Sequence, residues 1–272
     1  MPTLSSARVV SMALNVPGPL TVSRLAAEGA RVTKIEPPGG DPLDGFCRAW
    51  YAELHRDVTV ERVDLKRDGA ARVRALLSDA DLFVASQRPA ALARLGLDAD
   101  TLLGVTSGNA RLRHLNIVGE LARPEVAGHD LTYLARAGLL GSELPRTLFA
   151  DVLGSERAFS AAVLLLQQPP GARAEVGLYD ALEPLVAPLR HGLTGPGALL
   201  GGELPGYGVY EAREGRVAVA ALEPHFRSRL YEALTLPYGT DLTATFRRRT
   251  AAEWQAWALE RDLPLAAVRE SG

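Results

Sequence analysis

The first regular pattern in the chain is RVVSMALNVPGPLTVSRLAAEGARVTKIE, which occupies residues 8–36. Residues 8–14 are extended and apolar, residues 20–28 have helical periodicity, and residues 31–36 are extended again. A strand, a helix and a second strand in close succession predict a βαβ unit, in which the two strands lie parallel in one sheet.

The same order returns further along the chain. Residues 58–65 are extended, residues 67–78 are helical, and residues 81–85 and 112–118 are extended. The first part of the chain therefore predicts a doubly wound parallel sheet.

The predicted topology also predicts where a ligand binds. Doubly wound sheets bind ligands beyond the carboxyl ends of their strands, at the point where the strand order reverses. The loops after Leu14, Glu36 and Ala85 are therefore candidate binding loops.

The second half of the chain is mostly helical and contains a short hairpin. Predicted helices cover residues 130–140, 152–168, 181–189, 225–234 and 251–261, and predicted strands cover residues 174–178, 207–211 and 216–221. The whole pattern predicts an α/β fold, which we divide into a large domain at residues 1–190, a smaller domain at residues 191–250 and a C-terminal segment at residues 251–272.

Composition is that of an ordinary globular protein. Hydrophobic residues make up 47% and charged residues 23% of the 272 residues, which excludes disordered and collagen-like classes. A formal charge of −2 gives no attraction to nucleic acid or anionic lipid. The longest apolar stretch, residues 158–166, falls short of the roughly 20 residues that span a bilayer. Without a secretory signal at residues 1–10, and with Cys47 as the single cysteine, the expected location is the cytoplasm.

Established cofactor and metal motifs are absent from the sequence. Gly39 and Gly40 follow a strand but lack the G-x-G-x-x-G spacing, so NAD is not indicated. The chain has no G-K-[ST] phosphate loop and no H-E-x-x-H motif. One cysteine and five scattered histidines form no metal-ligand pattern, so we expect no metal.

Ionisable residues stand at the predicted starts of three helices. Asp130 can cap the helix that it begins, and His129 precedes it. Asp151 lies just before the long helix, where free amide groups favour a carboxylate, and Glu223 lies before the helix at residues 225–234. From the residues alone, a catalytic role and a simple capping or surface role stay open for each.

Several segments follow one another in an order that resembles a known family. They are PGP at residues 17–19, LAAEGA at 25–30, KIEPPGGD at 34–41, VDLK at 63–66, RP at 88–89 and RLGL at 94–97. These segments resemble the family III CoA-transferases (CaiB/BaiF), a group that includes formyl-CoA transferase and α-methylacyl-CoA racemase. AGHDLTYL at residues 127–134 and VAALEPHF at residues 219–226 are most similar to the racemase branch.

The resemblance implies a fold, an assembly and a substrate. The expected fold is the family's Rossmann-like doubly wound large domain with a smaller α+β domain. The expected assembly is a homodimer whose two chains pass through each other. The expected substrate is an acyl-CoA thioester, so coenzyme A enters as part of the substrate and no cofactor is tightly bound.

The resemblance also assigns roles to single residues. His129 and Glu223 match the racemase's histidine and its supporting glutamate, and Asp151 matches the family's catalytic aspartate. The implied CoA contacts are Lys34, Arg88, Asp130 and Tyr133.

Three functions are open at this point. In the first, His129 and Asp151 act as opposed bases that racemise a 2-methylacyl-CoA through an enolate, which backbone amides at a helix start stabilise. In the second, Asp151 attacks the thioester to form an aspartyl anhydride, and CoA passes between carboxylic acids. The third is a degenerate, non-catalytic protein for CoA binding or dimerisation.

Some features depart from the family pattern. Residues 105–126 lack the usual loop G-x-G-x-x-G-P and carry Arg111, Arg113, Glu120 and Arg123 instead. Gly154 stands alone where the family has a run of glycines. The chain is also shorter than ordinary members, so residues 251–272 predict a C-terminal helix with a truncated return segment.

Overall fold

A computed structural model describes residues 4–67, 69–104 and 108–269. Residues 105–107 of the departing loop and residues 270–272 of the predicted return segment lie outside the described residues. The chain divides into two compact units, residues 1–186 and residues 187–272. The domain limits that were placed at residues 190 and 250 stay predictions.

Six strands form one parallel sheet among the described residues of the first unit. They are β1 (Arg8–Ser11), β2 (Arg31–Glu36), β3 (Val58–Arg62), β4 (Leu82–Ala85), β5 (Arg113–Val118) and β6 (Arg173–Gly177). Their order is β3-β2-β1-β4-β5-β6, so the strand order reverses between β1 and β4. This order is that of a doubly wound sheet, which confirms the predicted fold class.

Helices cover both faces of this sheet. The helices in this part of the chain are α1 (Pro17–Ala27), α2 (Pro42–Phe46), α3 (Arg48–Leu54), α4 (Gly69–Leu77), α5 (Pro89–Leu95), α6 (Ala99–Leu103), α7 (Asp130–Ala137), α8 (Phe149–Gln167) and α9 (Glu183–Arg190), the last of which crosses the division between the units. Neighbouring residues of β1 show the two faces, because side chains alternate along a strand. Val9 belongs to the core that includes α1 and α8, and Val10 belongs to the core that includes α4 and α5.

Helix α1 begins directly against the end of β1. A Cβ atom at Gly18 would lie 2.4 Å from the carbonyl carbon of Ala13, so only glycine permits this approach. Pro17 occupies the first turn, where its fixed φ suits a helix start. The close approach brings the start of α1 to the carboxyl end of the sheet.

The second unit is a small α+β structure. Its strands are β7 (Tyr207–Glu211), β8 (Arg216–Ala220) and β9 (Leu265–Ala267), and its helices are α10 (Pro224–Leu234), α11 (Thr243–Phe246) and α12 (Ala251–Leu259). The three strands are antiparallel in the order β7-β8-β9. Trp254 of α12 and Leu265 of β9 share a buried core with Val217 of β8, so the C-terminal segment packs within this unit.

None of the helices in the described ranges is both long enough and apolar enough to cross a membrane.

Candidate functional site

A cavity of about 460 Å³ opens in the first unit at the carboxyl ends of the strands. Residues 14–17 after β1, residues 86–88 after β4 and residues 117–119 at the end of β5 contribute to its walls. The cavity therefore lies where the strand order reverses, which is where doubly wound sheets bind their ligands. Two of the three predicted binding loops form it directly, and the third contributes Leu43 and Phe46 through α2.

Five of the seven residues assigned by motif lie around this one cavity. They are Arg88, His129, Asp130, Tyr133 and Asp151. Lys34 and Glu223 do not line it. The motif assignments therefore converge in space, and the role of each residue stays a prediction.

Asp151 lies in the first turn of α8, which begins at Phe149 rather than after Asp151 as expected. Burial raises the pKa of Asp151 to about 7, and the nearby charge of Asp130 adds to the rise. At neutral pH this carboxyl is therefore present in both its protonated and its ionised form.

Asp130 is buried and caps a different helix from the one predicted. Its Oδ1 accepts the backbone N–H of Ala150 at 2.6 Å and that of Asp151 at 3.2 Å, so it caps α8 rather than its own helix α7. The expectation of α7 capping is therefore wrong. The amides of Ala150 and Asp151 are therefore occupied by a carboxylate, and the stabilisation of an enolate by backbone amides at a helix start stays a prediction.

His129 and Tyr133 form another part of the wall. His129 is exposed at the N-cap of α7, and its backbone N–H donates to Oγ1 of Thr132 at 3.0 Å. Tyr133 is buried against two glycines: a Cβ at Gly119 would lie 2.3 Å from its hydroxyl oxygen, and one at Gly128 would lie 2.3 Å from Cε1. Burial raises the pKa of the Tyr133 hydroxyl, and the charge of Asp151 contributes to that rise.

Arg88 brings a cation to the cavity. It is exposed at the N-cap of α5 and belongs to the loop after β4. A guanidinium at this place suits phosphate groups, because it donates several hydrogen bonds in a fixed fork.

Lys34 is 0% exposed and belongs to a cluster that the sequence analysis did not find. Its ammonium donates to Glu36 at 2.9 Å and to Asp41, and lies 3.0 Å from Nε2 of His55. We call these four residues the Lys34 cluster. All three N–H groups of Lys34 have partners inside the protein, so the geometry does not support the prediction that it contacts CoA.

The Lys34 cluster fixes two loops of the cavity. Oδ1 of Asp41 accepts the N–H of Asn15 at 3.0 Å and that of Leu43 at 2.9 Å, and both residues line the cavity. Lys34 and Glu36 are two residues apart in β2 and therefore share one face of the strand. This spacing in the sequence was the available signal for the cluster.

Glu223 lies in the second unit, at the N-cap of α10, with an exposed side chain. Its role as the partner of His129 stays a prediction. Among the described residues, no three His, Cys, Asp or Glu side chains are arranged to hold a metal ion.

A doubly wound domain with ionisable side chains gathered at the reversal of its strand order defines an α/β protein with a candidate ligand site at that edge of the sheet. The sequence profile of CoA-transferase family III matches residues 4–272. The chain therefore belongs to CoA-transferase family III.

Three curated relatives show the range of the family around this chain. A CaiB/BaiF CoA-transferase family protein of Caenorhabditis elegans is 27% identical over 92% of this chain and 81% of its own length. The succinyl-CoA–L-malate CoA-transferase alpha subunit of Chloroflexus aurantiacus is 29% identical over 92% of this chain and 66% of its own. Human α-methylacyl-CoA racemase is 27% identical over 86% of this chain and 65% of its own length. This chain thus spans about two thirds of the length of the latter two.

A solved structure shares the fold. The crystal structure of a hypothetical protein from Mycobacterium tuberculosis superposes with a TM-score of 0.84 over 99% of this chain and 86% of that chain, at 20% identity. The likeness confirms the predicted family fold. The homodimer and the cytoplasmic location stay predictions.

Proposed function

We propose that this protein is an acyl-CoA enzyme that racemises the carbon next to the thioester carbonyl of a 2-methylacyl-CoA. The observation that supports it is the raised pKa of Asp151, about 7, in a cavity shared with His129. A racemase must remove a proton on one face and supply one on the other, in both directions. A group with its pKa near the working pH serves both tasks.

The two directions use the same pair in opposite protonation states. In one direction the neutral imidazole of His129 removes the C2 proton, and the protonated carboxyl of Asp151 returns a proton to the opposite face of the enolate. In the other direction the Asp151 carboxylate removes the proton and the imidazolium returns one. Coenzyme A enters as part of the substrate, with its phosphates toward Arg88.

Deuterium incorporation tests this function. Incubation of one enantiomer of a 2-methylacyl-CoA in D₂O is expected to give deuterium at C2 and loss of optical purity, read by mass spectrometry and chiral chromatography. Asp151→Asn and His129→Gln are each expected to lower racemisation by about 10²-fold or more. The matched controls are Glu156→Gln, a partly exposed acid of the same helix that pairs with Arg24, and His225→Gln, an exposed histidine. Full racemisation by either site variant would refute the proposal.

CoA transfer is the second candidate, because relatives named as succinyl-CoA transferases match much of the chain. It requires Asp151 as a nucleophile: the carboxylate forms an acyl anhydride and CoA leaves as a thiolate. Hydroxylamine would then attack the aspartyl carbonyl of this anhydride, which leaves Asp151 as a hydroxamate and expels the acyl group as its carboxylate, with free CoA already released when the anhydride formed. That result, without deuterium at C2, would favour transfer over racemisation.

A non-catalytic CoA-binding protein is the third candidate from the sequence. It would be stabilised by CoA, because a ligand that binds the folded state raises the melting temperature. Such stabilisation with neither deuterium exchange nor hydroxamate formation would identify it.

A further inference from the structure

The loop of residues 119–128 connects β5 to α7 and forms one wall of the cavity. Gly119, Pro124, Val126 and Gly128 of this loop line the cavity, and the loop leads directly into His129. Whatever fixes this loop therefore influences where His129 stands.

Glu120 is 9% exposed and holds two arginines. Arg136 of α7 donates from Nη1 to Oε2 at 2.9 Å and from Nη2 to Oε1 at 3.0 Å, and Arg123 donates from Nη2 to Oε2 at 3.0 Å. The guanidinium of Arg136 also lies 4.3 Å from the ring centre of Tyr179. We call Glu120, Arg123 and Arg136 the Glu120 clamp. These hydrogen bonds lower the pKa of Glu120, with Arg136 the largest cause, so its carboxylate stays ionised.

Further contacts tie the same loop to its surroundings. The N–H of Leu121 donates to Oδ2 of Asp180 at 2.9 Å, next to Tyr179. Oε1 of Glu125 accepts the N–H of Ala90 in α5 at 2.7 Å, which joins the loop to the helix that follows Arg88. The loop is therefore attached at both sides of the cavity.

We propose that Glu120 is a positioning residue, which holds α7 against the end of β5 and so sets the place of His129 relative to Asp151. The clamp does this because Glu120 lies two residues after β5 and its bidentate partner Arg136 lies on α7, whose N-cap is His129. A paired guanidinium and carboxylate fix both distance and orientation. This inference rests on the proposed function, in which His129 is one of the two bases.

Glu120→Gln tests the clamp, and Glu61→Gln is its matched control. Glu61 forms a similar pair with Arg72, whose Nε and Nη2 lie 3.0 and 2.9 Å from Oε2, but it lies on β3 away from the cavity. For Glu120→Gln we expect kcat for racemisation, per folded molecule, to fall about tenfold because a base is misplaced. CoA affinity, measured by calorimetry with CoA alone, is expected to be unchanged. Glu61→Gln is expected to change neither quantity.

Hydrogen exchange separates failure of this inference from failure of the proposed function. In Glu120→Gln the hydrogen-bonded amides of Leu121, Arg123 and Val126 are expected to exchange at least about tenfold faster, with no change in Glu61→Gln. This readout needs no turnover, so it holds even where the wild type shows no racemisation. Unchanged loop exchange would overturn the clamp. A lower melting temperature with unchanged kcat would make Glu120 merely structural and would overturn the positioning role.

Discussion

Asp130 acts on Asp151 in two ways. Its carboxylate accepts the N–H of Asp151 and so fixes the start of α8, while its charge helps to raise the pKa of the Asp151 carboxyl. Burial is the larger cause of the rise. Asp130→Asn keeps an oxygen acceptor but removes the charge, so it is expected to lower the pKa of Asp151 while leaving it above that of an ordinary aspartate.

The acid limb of the pH–rate profile measures this shift in the direction in which the Asp151 carboxylate removes the proton, and the carboxyl ¹³C signal measures it directly. Asp98→Asn is the control, because the Asp98 carboxylate also accepts a backbone N–H at a helix start, that of its own helix α6, without lining the cavity. An unchanged or higher pKa for Asp151 in Asp130→Asn would show that the charge coupling is absent.

Lys34 is expected to stabilise the fold rather than bind ligand. Lys34→Met would leave the carboxylates of Glu36 and Asp41 buried without their cation, at a cost of about 3–5 kcal/mol in the free energy of unfolding. Lys66→Met is the matched control, because Lys66 is exposed and is the other lysine of the chain. Urea unfolding measures both. Equal stability of the two variants would contradict the role given to the Lys34 cluster.

The sequence motifs identified most of the assigned residues that line the cavity. They did not identify the hydrogen-bond partners of those residues. His129 was predicted directly before α7, which is where the structure has it, whereas Asp151 lies inside the first turn of α8 rather than before it. The partner of Asp130 was not predicted, because it caps α8 from twenty positions away. Lys34 was predicted to contact CoA. The sequence does not show that all three N–H donors of its ammonium already have partners inside the protein.

The start of α1 depends on glycine at position 18. In Gly18→Ala the new Cβ would meet the backbone of Ala13, which cannot swing away as a side chain can. We expect a loss of about 1–3 kcal/mol in the free energy of unfolding, although alanine favours helix in general. Gly45→Ala in α2 is the control, because nothing lies within 4 Å of its Cβ position. Thermal melts that show the same effect for both variants would count against this close approach.

The strands of the first unit were predicted to within a few residues, because the alternation of strand and helix gives each element a clear pattern. Helices α2 and α3 were missed: α2 has five residues and α3 seven, and they follow a segment rich in proline and glycine. The start of α8 was placed three residues late, because its cap, Asp130, comes from another element of the structure. Local pattern fails where tertiary contacts set the boundary.

The stability of the molecule as a whole is expected to fall in acid partly through His114. Burial lowers the pKa of this imidazole to about 4 from 6.5, so the unfolded chain binds more protons between these values. The contribution of His114 is complete above pH 6.5 and is lost progressively as the pH falls to 4, about 3 kcal/mol in all. Burial also lowers the pKa of His55, which acts in the same direction.

The difference in unfolding free energy between the wild type and His114→Gln isolates this effect. Asp151 acts in the opposite direction over the same interval, because its pKa is raised on folding, but it is common to both proteins. Far-UV circular dichroism is a better signal than tryptophan fluorescence. Two of the three tryptophans, Trp254 and Trp257, lie in the second unit, whereas His114 lies in the first. We expect the unfolding free energy of the wild type to fall relative to that of His114→Gln as the pH decreases from 6.5. A difference that is independent of pH would contradict the buried neutral histidine.

The two-base site is tested most directly by measuring hydrogen exchange at C2. Each enantiomer is incubated separately with each of the two single-base variants. If His129 and Asp151 stand on opposite faces of the α-carbon, Asp151→Asn exchanges the hydrogen of one enantiomer and His129→Gln that of the other, and neither variant racemises. Exchange of the same enantiomer by both variants, or of both enantiomers by one variant at the wild-type rate, would contradict the two-base site.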